Sequence, residues 1–152
     1  MYASVSACAL RGASADESPP PETLTFPMIL GLGTDLVDVE RFRRVVERHG
    51  DGFLDRLFSA AEIEACRKMR RPAEHLAARF AACEALLKAL GTGLAGRMSW
   101  RDIEVVPAEG PGVYRVELRG AVGEEAERMG ATRVLLALTT TREVAAATVV
   151  IV

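Results

Sequence analysis

Residues 79–90, Arg-Phe-Ala-Ala-Cys-Glu-Ala-Leu-Leu-Lys-Ala-Leu, set a carboxylate and an amine at helical spacing inside an otherwise apolar segment. Pro72 suits the first turn of a helix, where its missing N–H is no loss, and Gly91 suits the left-handed position that ends one. One long helix over 72–90 is therefore expected, and its run of alanines and leucines needs other elements packed on it. Glu84 and Lys88 then lie one turn apart on a shared face. Glu84 stands among Phe80, Ala81, Ala85 and Leu87, where an unpaired carboxylate is costly to desolvate. Two arrangements fit this spacing: a surface ion pair contributing a few tenths of a kcal/mol, or two groups projecting together into a site where a metal meets a phosphate. Lys68 and Lys88 are the only lysines in a chain that otherwise carries its positive charge on arginine. An ammonium can give up a proton where a guanidinium cannot.

The rest of the chain divides by hydrophobic period. Ile29–Val37 reads as a strand whose glycines permit close backbone approach and whose apolar run is interrupted by Asp35. Asp38 caps a helix over 39–49, with Phe42, Val45 and Val46 on one side and Arg41, Arg44 and Arg48 largely on another, and Gly50 and Gly52 end it. Ser59-Ala-Ala-Glu62 has the form of a capping box and opens a short helix to Lys68. Strands are expected over 102–106, 113–118, 134–140 and 144–151, with a helix over 121–129 between them and Glu109-Gly-Pro-Gly112 as a turn. Helices first and mostly antiparallel strands after make the expected class α+β.

Composition narrows the function classes. The formal charge of −2 comes from residues 1–27, where Arg11 faces Asp16, Glu17 and Glu22, leaving 18 basic and 18 acidic residues from Met28 onward. No basic excess points to nucleic acid, and no apolar run approaches the length of a membrane span. Residues 1–27, with Pro19-Pro20-Pro21 and no signal-peptide pattern, read as a disordered extension, and Met28 is a candidate for the true start of a domain over 28–152. Cys8, Cys66 and Cys83 lack metal-ligand spacing and suit reduced thiols in the cytoplasm.

Several candidate sites remain open at this level. Gly31-Leu-Gly-Thr-Asp35 lies inside a strand and lacks a third glycine, so it is not a dinucleotide loop. Asp35 is a helix-preceding turn acid, a satisfied buried polar group or, with a second carboxylate, a metal ligand. Gly91-Thr92-Gly93 is a helix cap or a turn whose amides and hydroxyl approach a phosphate. His49 and His75 have no ligand partners at zinc spacing, and no hydrolase triad pattern occurs.

Gly31-Leu-Gly-Thr-Asp35, Arg79-Phe-Ala-Ala-Cys-Glu84-Ala-Leu-Leu-Lys88-Ala-Leu-Gly91-Thr-Gly93 and Ser99-Trp-Arg-Asp-Ile-Glu104-Val, in this order, closely resemble the holo-acyl-carrier-protein synthases, which are 4′-phosphopantetheinyl transferases. The similarity runs from Met28 to Val152. It implies their fold, a long helix packed on a mostly antiparallel sheet. It also implies Mg²⁺-dependent transfer of 4′-phosphopantetheine from coenzyme A to a serine of an acyl carrier protein, releasing adenosine 3′,5′-bisphosphate, in fatty-acid or polyketide synthesis.

By the same resemblance Asp35 and Glu84 hold the Mg²⁺, Glu84 or a water on the ion deprotonates the serine, and Lys88 stabilises the departing phosphate. Arg79, Lys88, Gly91, Thr92, Gly93, Thr140 and Thr141 match positions near coenzyme A. Arg41, Phe42, Arg44, Val45 and Arg48 on the first helix form a docking face for the acidic carrier, although the arginines also fit a merely solvated helix side. Similar proteins assemble as homotrimers with sites between subunits. Two positions depart from the family pattern: Cys83 stands where a lysine precedes the metal-binding glutamate, and Thr140 stands where many relatives carry histidine. Cys83 keeps a second reading open, a non-catalytic relative that binds coenzyme A or a carrier protein as a trimeric assembly or regulatory module.

Overall fold

A computed structural model describes residues 28–110 and 112–152. The chain runs β1 (Gly31–Asp38), α1 (Val39–His49), α2 (Asp51–Leu57), α3 (Ala60–Arg67), α4 (Pro72–Leu90), a 3-10 turn (Trp100–Asp102), β2 (Ile103–Pro107), β3 (Tyr114–Leu118), α5 (Gly120–Arg128), β4 (Val134–Thr140) and β5 (Val144–Ile151). The class is α+β, as expected. The strands form two antiparallel sheets, three-stranded β1-β5-β4 and two-stranded β2-β3, where a single mostly antiparallel sheet was expected.

The long helix organises both. α4 begins at Pro72 and ends at Gly91, which takes φ 74°. It packs across β1 and β5. The approach to β1 is closer than a side chain allows: a Cβ at Gly33 would lie 1.9 Å from the carbonyl oxygen of Ala85, and one at Gly31 would lie 2.2 Å from that of Ala89. The expectation that these glycines serve close backbone contact is therefore correct, and the contact is with the helix. One core lies between α4 and the sheets, around Leu86, Leu87, Ile103, Val105, Val149 and Ile151. A second gathers α1, α2 and α3 on the N-terminal half of α4, around Phe42, Leu54, Phe58, Ile63 and Leu76.

Local signals account for the helix ends. The Asp38 carboxylate accepts from the Arg41 amide at 2.7 Å and starts α1 directly after β1. Ser59 and Glu62 form the reciprocal capping box of α3. Gly50 ends α1 at φ 66°. Gly52 does not: it lies in the first turn of α2, a helix that the Gly-Asp-Gly spacing conceals. Phe42 needs a second correction. It was expected beside the arginines at the surface, but its ring is buried against Phe53 and Phe80, because α2 and α4 cover that side of α1.

The expected extension 1–27, with Cys8, lies outside the described residues. Cys66 and Cys83 are buried free thiols. Among the described residues no helix is long and apolar enough to cross a membrane.

Candidate active site

Odd-numbered residues of β1 face α4, so the strand that uses glycine at 31 and 33 for contact brings Asp35 to the helix two residues later. The Lys88 ammonium donates to Asp35 Oδ1 at 2.7 Å and to the Thr34 carbonyl at 3.2 Å. The lysine is half exposed, while only 15% of the Asp35 side chain is accessible. The i, i+4 surface pair with Glu84 is thus not the contact Lys88 makes. Among the described residues Glu84 has no ion-pair partner, and burial, then the charge of Asp35, raises its carboxyl above the ordinary range, against a smaller lowering by Lys88. The hydrogen bond to Asp35 raises the Lys88 ammonium, which is therefore protonated at neutral pH.

Asp35 and Glu84 open onto a cleft of about 550 Å³ whose other wall is α1, through Arg41, Phe42 and Val45, with Asp38 at the end of β1 and Phe53 and Phe80 also lining it. The two carboxylates and part of the expected carrier-docking face therefore share one cleft. Arg44 and Arg48 are exposed further along α1. Phe80 and Phe53 were not among the sequence candidates. Phe80 had a signal, since it precedes Glu84 by one helical turn; its ring continues an aromatic row from Phe42 at 5.6 Å to Trp100 at 5.4 Å.

The donor set suits Mg²⁺. That ion commonly takes one or two carboxylates and completes its shell with water and substrate phosphates, and two hard oxygen donors, one on β1 and one on α4, line the same cleft here. No group of three His, Cys, Asp or Glu side chains forms a fuller cage among the described residues.

Of the expected coenzyme A contacts, Lys88 lies beside Asp35 and the others fall elsewhere. Arg79 and Thr140 line a smaller cavity of about 210 Å³ with His75, Tyr114, Leu138 and Thr139. Arg79 is buried, with its guanidinium carbon 5.4 Å from the centre of the Tyr114 ring. Thr141 shapes the β4–β5 turn: its hydroxyl oxygen accepts from the amides of Glu143 at 3.2 Å and Val144 at 3.0 Å. Gly91, Thr92 and Gly93 follow α4 and line neither cavity; Gly93 takes φ 60° and the Thr92 hydroxyl donates to its carbonyl at 3.0 Å. Cys83 is buried in the core, and that burial pushes its thiol far up.

Known proteins share this arrangement of elements. The family model for the 4′-phosphopantetheinyl transferase superfamily matches residues 31–147. A holo-[acyl-carrier-protein] synthase of Desulforudis audaxviator (strain MP104C) is 50% identical over 111 residues, covering 73% of this chain and 83% of that protein. The crystal structure of the Neisseria meningitidis holo-[acyl-carrier-protein] synthase is similar with a TM-score of 0.73 and 33% identity, covering 82% of this chain and 99% of that one. That of the Helicobacter pylori enzyme in complex with coenzyme A has a TM-score of 0.69 and 26% identity, covering 80% and 99%. By ordered motifs, fold and similarity along most of its length, this chain belongs to the holo-acyl-carrier-protein synthases of the 4′-phosphopantetheinyl transferase superfamily.

Proposed function

We propose that the protein transfers 4′-phosphopantetheine from coenzyme A to a serine hydroxyl of an acyl carrier protein, at the junction of β1 and α4. The observation that carries this reading is that Asp35, which bonds Lys88, and Glu84 line one cleft whose far wall is the basic helix α1. Asp35 and Glu84 would hold Mg²⁺, which when bound draws charge from the pyrophosphate oxygens. Glu84, whose proton affinity is raised by burial, takes the serine proton as the serine oxygen bonds to phosphorus. The phosphorus–oxygen bond to the nucleotide breaks. Lys88 donates to the oxygen that leaves as adenosine 3′,5′-bisphosphate. Arg79 and Thr140, with Thr141 at the adjoining β4–β5 turn and Gly91, Thr92 and Gly93 at the far end of α4, are assigned to coenzyme A.

Docking of the acidic carrier is assigned to Arg41, Arg44, Arg48 and Val45, with Phe42 supporting them from beneath. Charges at the rim speed the encounter and leave the complex transient. The assembly is assigned as a homotrimer. Supporting this, the sheet face turned away from α4 presents Leu32 and Leu36, 65% and 69% exposed, beside Leu135, and Ala146, Thr148 and Val150 of β5 point the same way. A contiguous uncharged face of this kind calls for cover. The setting is assigned as cytoplasmic fatty-acid or polyketide synthesis.

Incubating the protein with coenzyme A, Mg²⁺ and apo carrier tests the reading. The carrier is expected to gain the mass of one phosphopantetheinyl group, and a chelator is expected to prevent the gain. Unmodified carrier after trials with several carrier proteins would overturn it.

A further inference from the structure

Glu62, in the first turn of α3, is buried, with 3% of its side chain accessible. One carboxylate oxygen accepts from the Ser59 amide at 3.0 Å and lies 3.1 Å from the Ser59 hydroxyl; the other accepts from the Val105 amide at 2.9 Å. These bonds cap α3 and tie it to β2, but a neutral side chain can accept amide hydrogens too. Burial raises the Glu62 carboxyl, and these hydrogen bonds and the charge of Arg79 only partly offset it, so an anion here calls for a cation facing it. The cation that faces it is Arg79, equally buried, with Nε 3.9 Å from Glu62 Oε1. Of the other titratable groups that feel this pair, Cys66 and Cys83 are thiols raised by burial, and His75 is lowered by burial and then by the charge of Arg79.

Arg79 is held rather than satisfied. Among the described residues its Nε is buried without a hydrogen-bond partner, an omission that costs on the order of 1–3 kcal/mol and is seldom kept without a use. Its guanidinium lies over the Tyr114 ring and lines the cavity with His75 and Thr140. A planar fork with a carboxylate 3.9 Å behind its Nε and an aromatic face beside it is prepared to meet an anion in that cavity.

We infer that Glu62 is a positioning residue for coenzyme A binding: its carboxylate anchors Arg79 from within the core so that the guanidinium faces the anionic end of the nucleotide. This rests on the assignment of Arg79 to coenzyme A. The helix-cap function of Glu62 is the side it shows in sequence, and the anchoring of Arg79 is the side it shows only in the fold.

Glu62→Gln, Arg79→Ala, their double variant and Ser59→Ala are to be compared by thermal melting, by calorimetric titration with coenzyme A, and by steady-state kinetics. Ser59→Ala removes the cap hydroxyl, which also bonds Glu62 and Glu104, but keeps the Glu62 carboxylate itself, so it reports the effect of a weakened cap. Glu62→Gln is expected to raise the Kd and KM for coenzyme A about tenfold, as loss of an orienting partner commonly does, with the carrier KM unchanged and Ser59→Ala leaving both at wild-type values. In the Arg79→Ala background Glu62→Gln is expected to add no further loss of affinity. Glu62→Gln that lowers only the melting temperature, as Ser59→Ala does, overturns the positioning role while Arg79→Ala still weakens binding. Arg79→Ala with wild-type affinity overturns the coenzyme A assignment and the positioning role together. If Glu62→Gln proves too unstable to assay, Glu62→Asp takes its place; it keeps the charge but shortens the reach, so a rise in coenzyme A KM without a rise in carrier KM supports anchoring, and no change refutes it.

Discussion

Gly33→Ala is the substitution that most sharply couples the packing of this fold to its chemistry. The new methyl would lie 1.9 Å from the Ala85 carbonyl oxygen and 2.6 Å from the Ala89 amide nitrogen, both rigid helix backbone rather than yielding side-chain ends. Reaching even the 3.0 Å below which such contacts essentially never occur requires β1 and α4 to separate by about 1.1 Å. Overpacking of this kind costs on the order of 1–3 kcal/mol, and contact with backbone places it at the upper end. For a domain of this size that is a melting-temperature loss on the order of 5–10 °C. The same separation pulls Asp35 from Lys88, stretching their 2.7 Å contact toward ~3.8 Å, and a misplacement of about 1 Å in a reacting site can reduce turnover on the order of 100-fold. Gly52→Ala is the control, since a Cβ there meets nothing within 4 Å and the position is helical; replacing a helical glycine stabilises by up to about 1 kcal/mol. Calorimetry and the carrier-mass assay on both variants measure the two effects. Wild-type melting and turnover in Gly33→Ala would refute the claim that the glycine contact sets the spacing of the site.

Three other perturbations separate stability, docking and assembly. The folded-state pKa of Glu84 is raised above 4.5 by burial, so the folded protein binds a proton more readily than the unfolded chain, and ionising Glu84 weakens the fold as pH rises from 4.5 through that higher value. Glu84→Gln is therefore expected to lose transfer activity yet melt above wild type at pH 7, with the difference vanishing below pH 4.5; a lower melting temperature at pH 7 would contradict the desolvation argument. Arg44→Glu with Arg48→Glu is expected to raise the carrier KM about tenfold at low salt with little change in kcat, the effect shrinking as salt screens the rim charges; an unchanged carrier KM would remove α1 as the docking face. Leu36→Asp places a charge on the exposed sheet face, where the wild-type side chain is 69% accessible, and is expected to convert the assembly to monomers in sedimentation analysis; an unaltered oligomer would show that this face is not the interface.

Much of this site was legible because its signals are local. Pro72 and Gly91 bound α4, the Asp38 side chain starts α1, and the Ser59–Glu62 box starts α3, each within a few residues of the element it controls. Gly31 and Gly33 announced a close contact, though not with what. The features that stayed hidden depend on pieces distant in the chain. Glu84 and Lys88 invite an i, i+4 pair by spacing, yet Lys88 turns to Asp35 because β1 lies directly against that face of α4. Glu62 satisfies a helix-cap pattern completely, so nothing in its neighbourhood advertises Arg79, 17 residues further along the chain. α2 is obscured by glycines at 50 and 52 that read as a single stop, whereas only Gly50 takes a positive φ. Phe42 looks amphipathic on α1 alone; the rings of Phe53 and Phe80, from two other helices, decide its burial.

The central claim is that carboxylates from β1 and α4 form one cation site at the seat of transfer. Titration with Mn²⁺ in the presence of coenzyme A, followed by the electron paramagnetic resonance of the free ion, tests it without relying on turnover. One ion bound per chain in the wild type, with binding lost in both Asp35→Asn and Glu84→Gln while their folds remain intact, is the predicted result. Wild-type stoichiometry and affinity in both variants would contradict it.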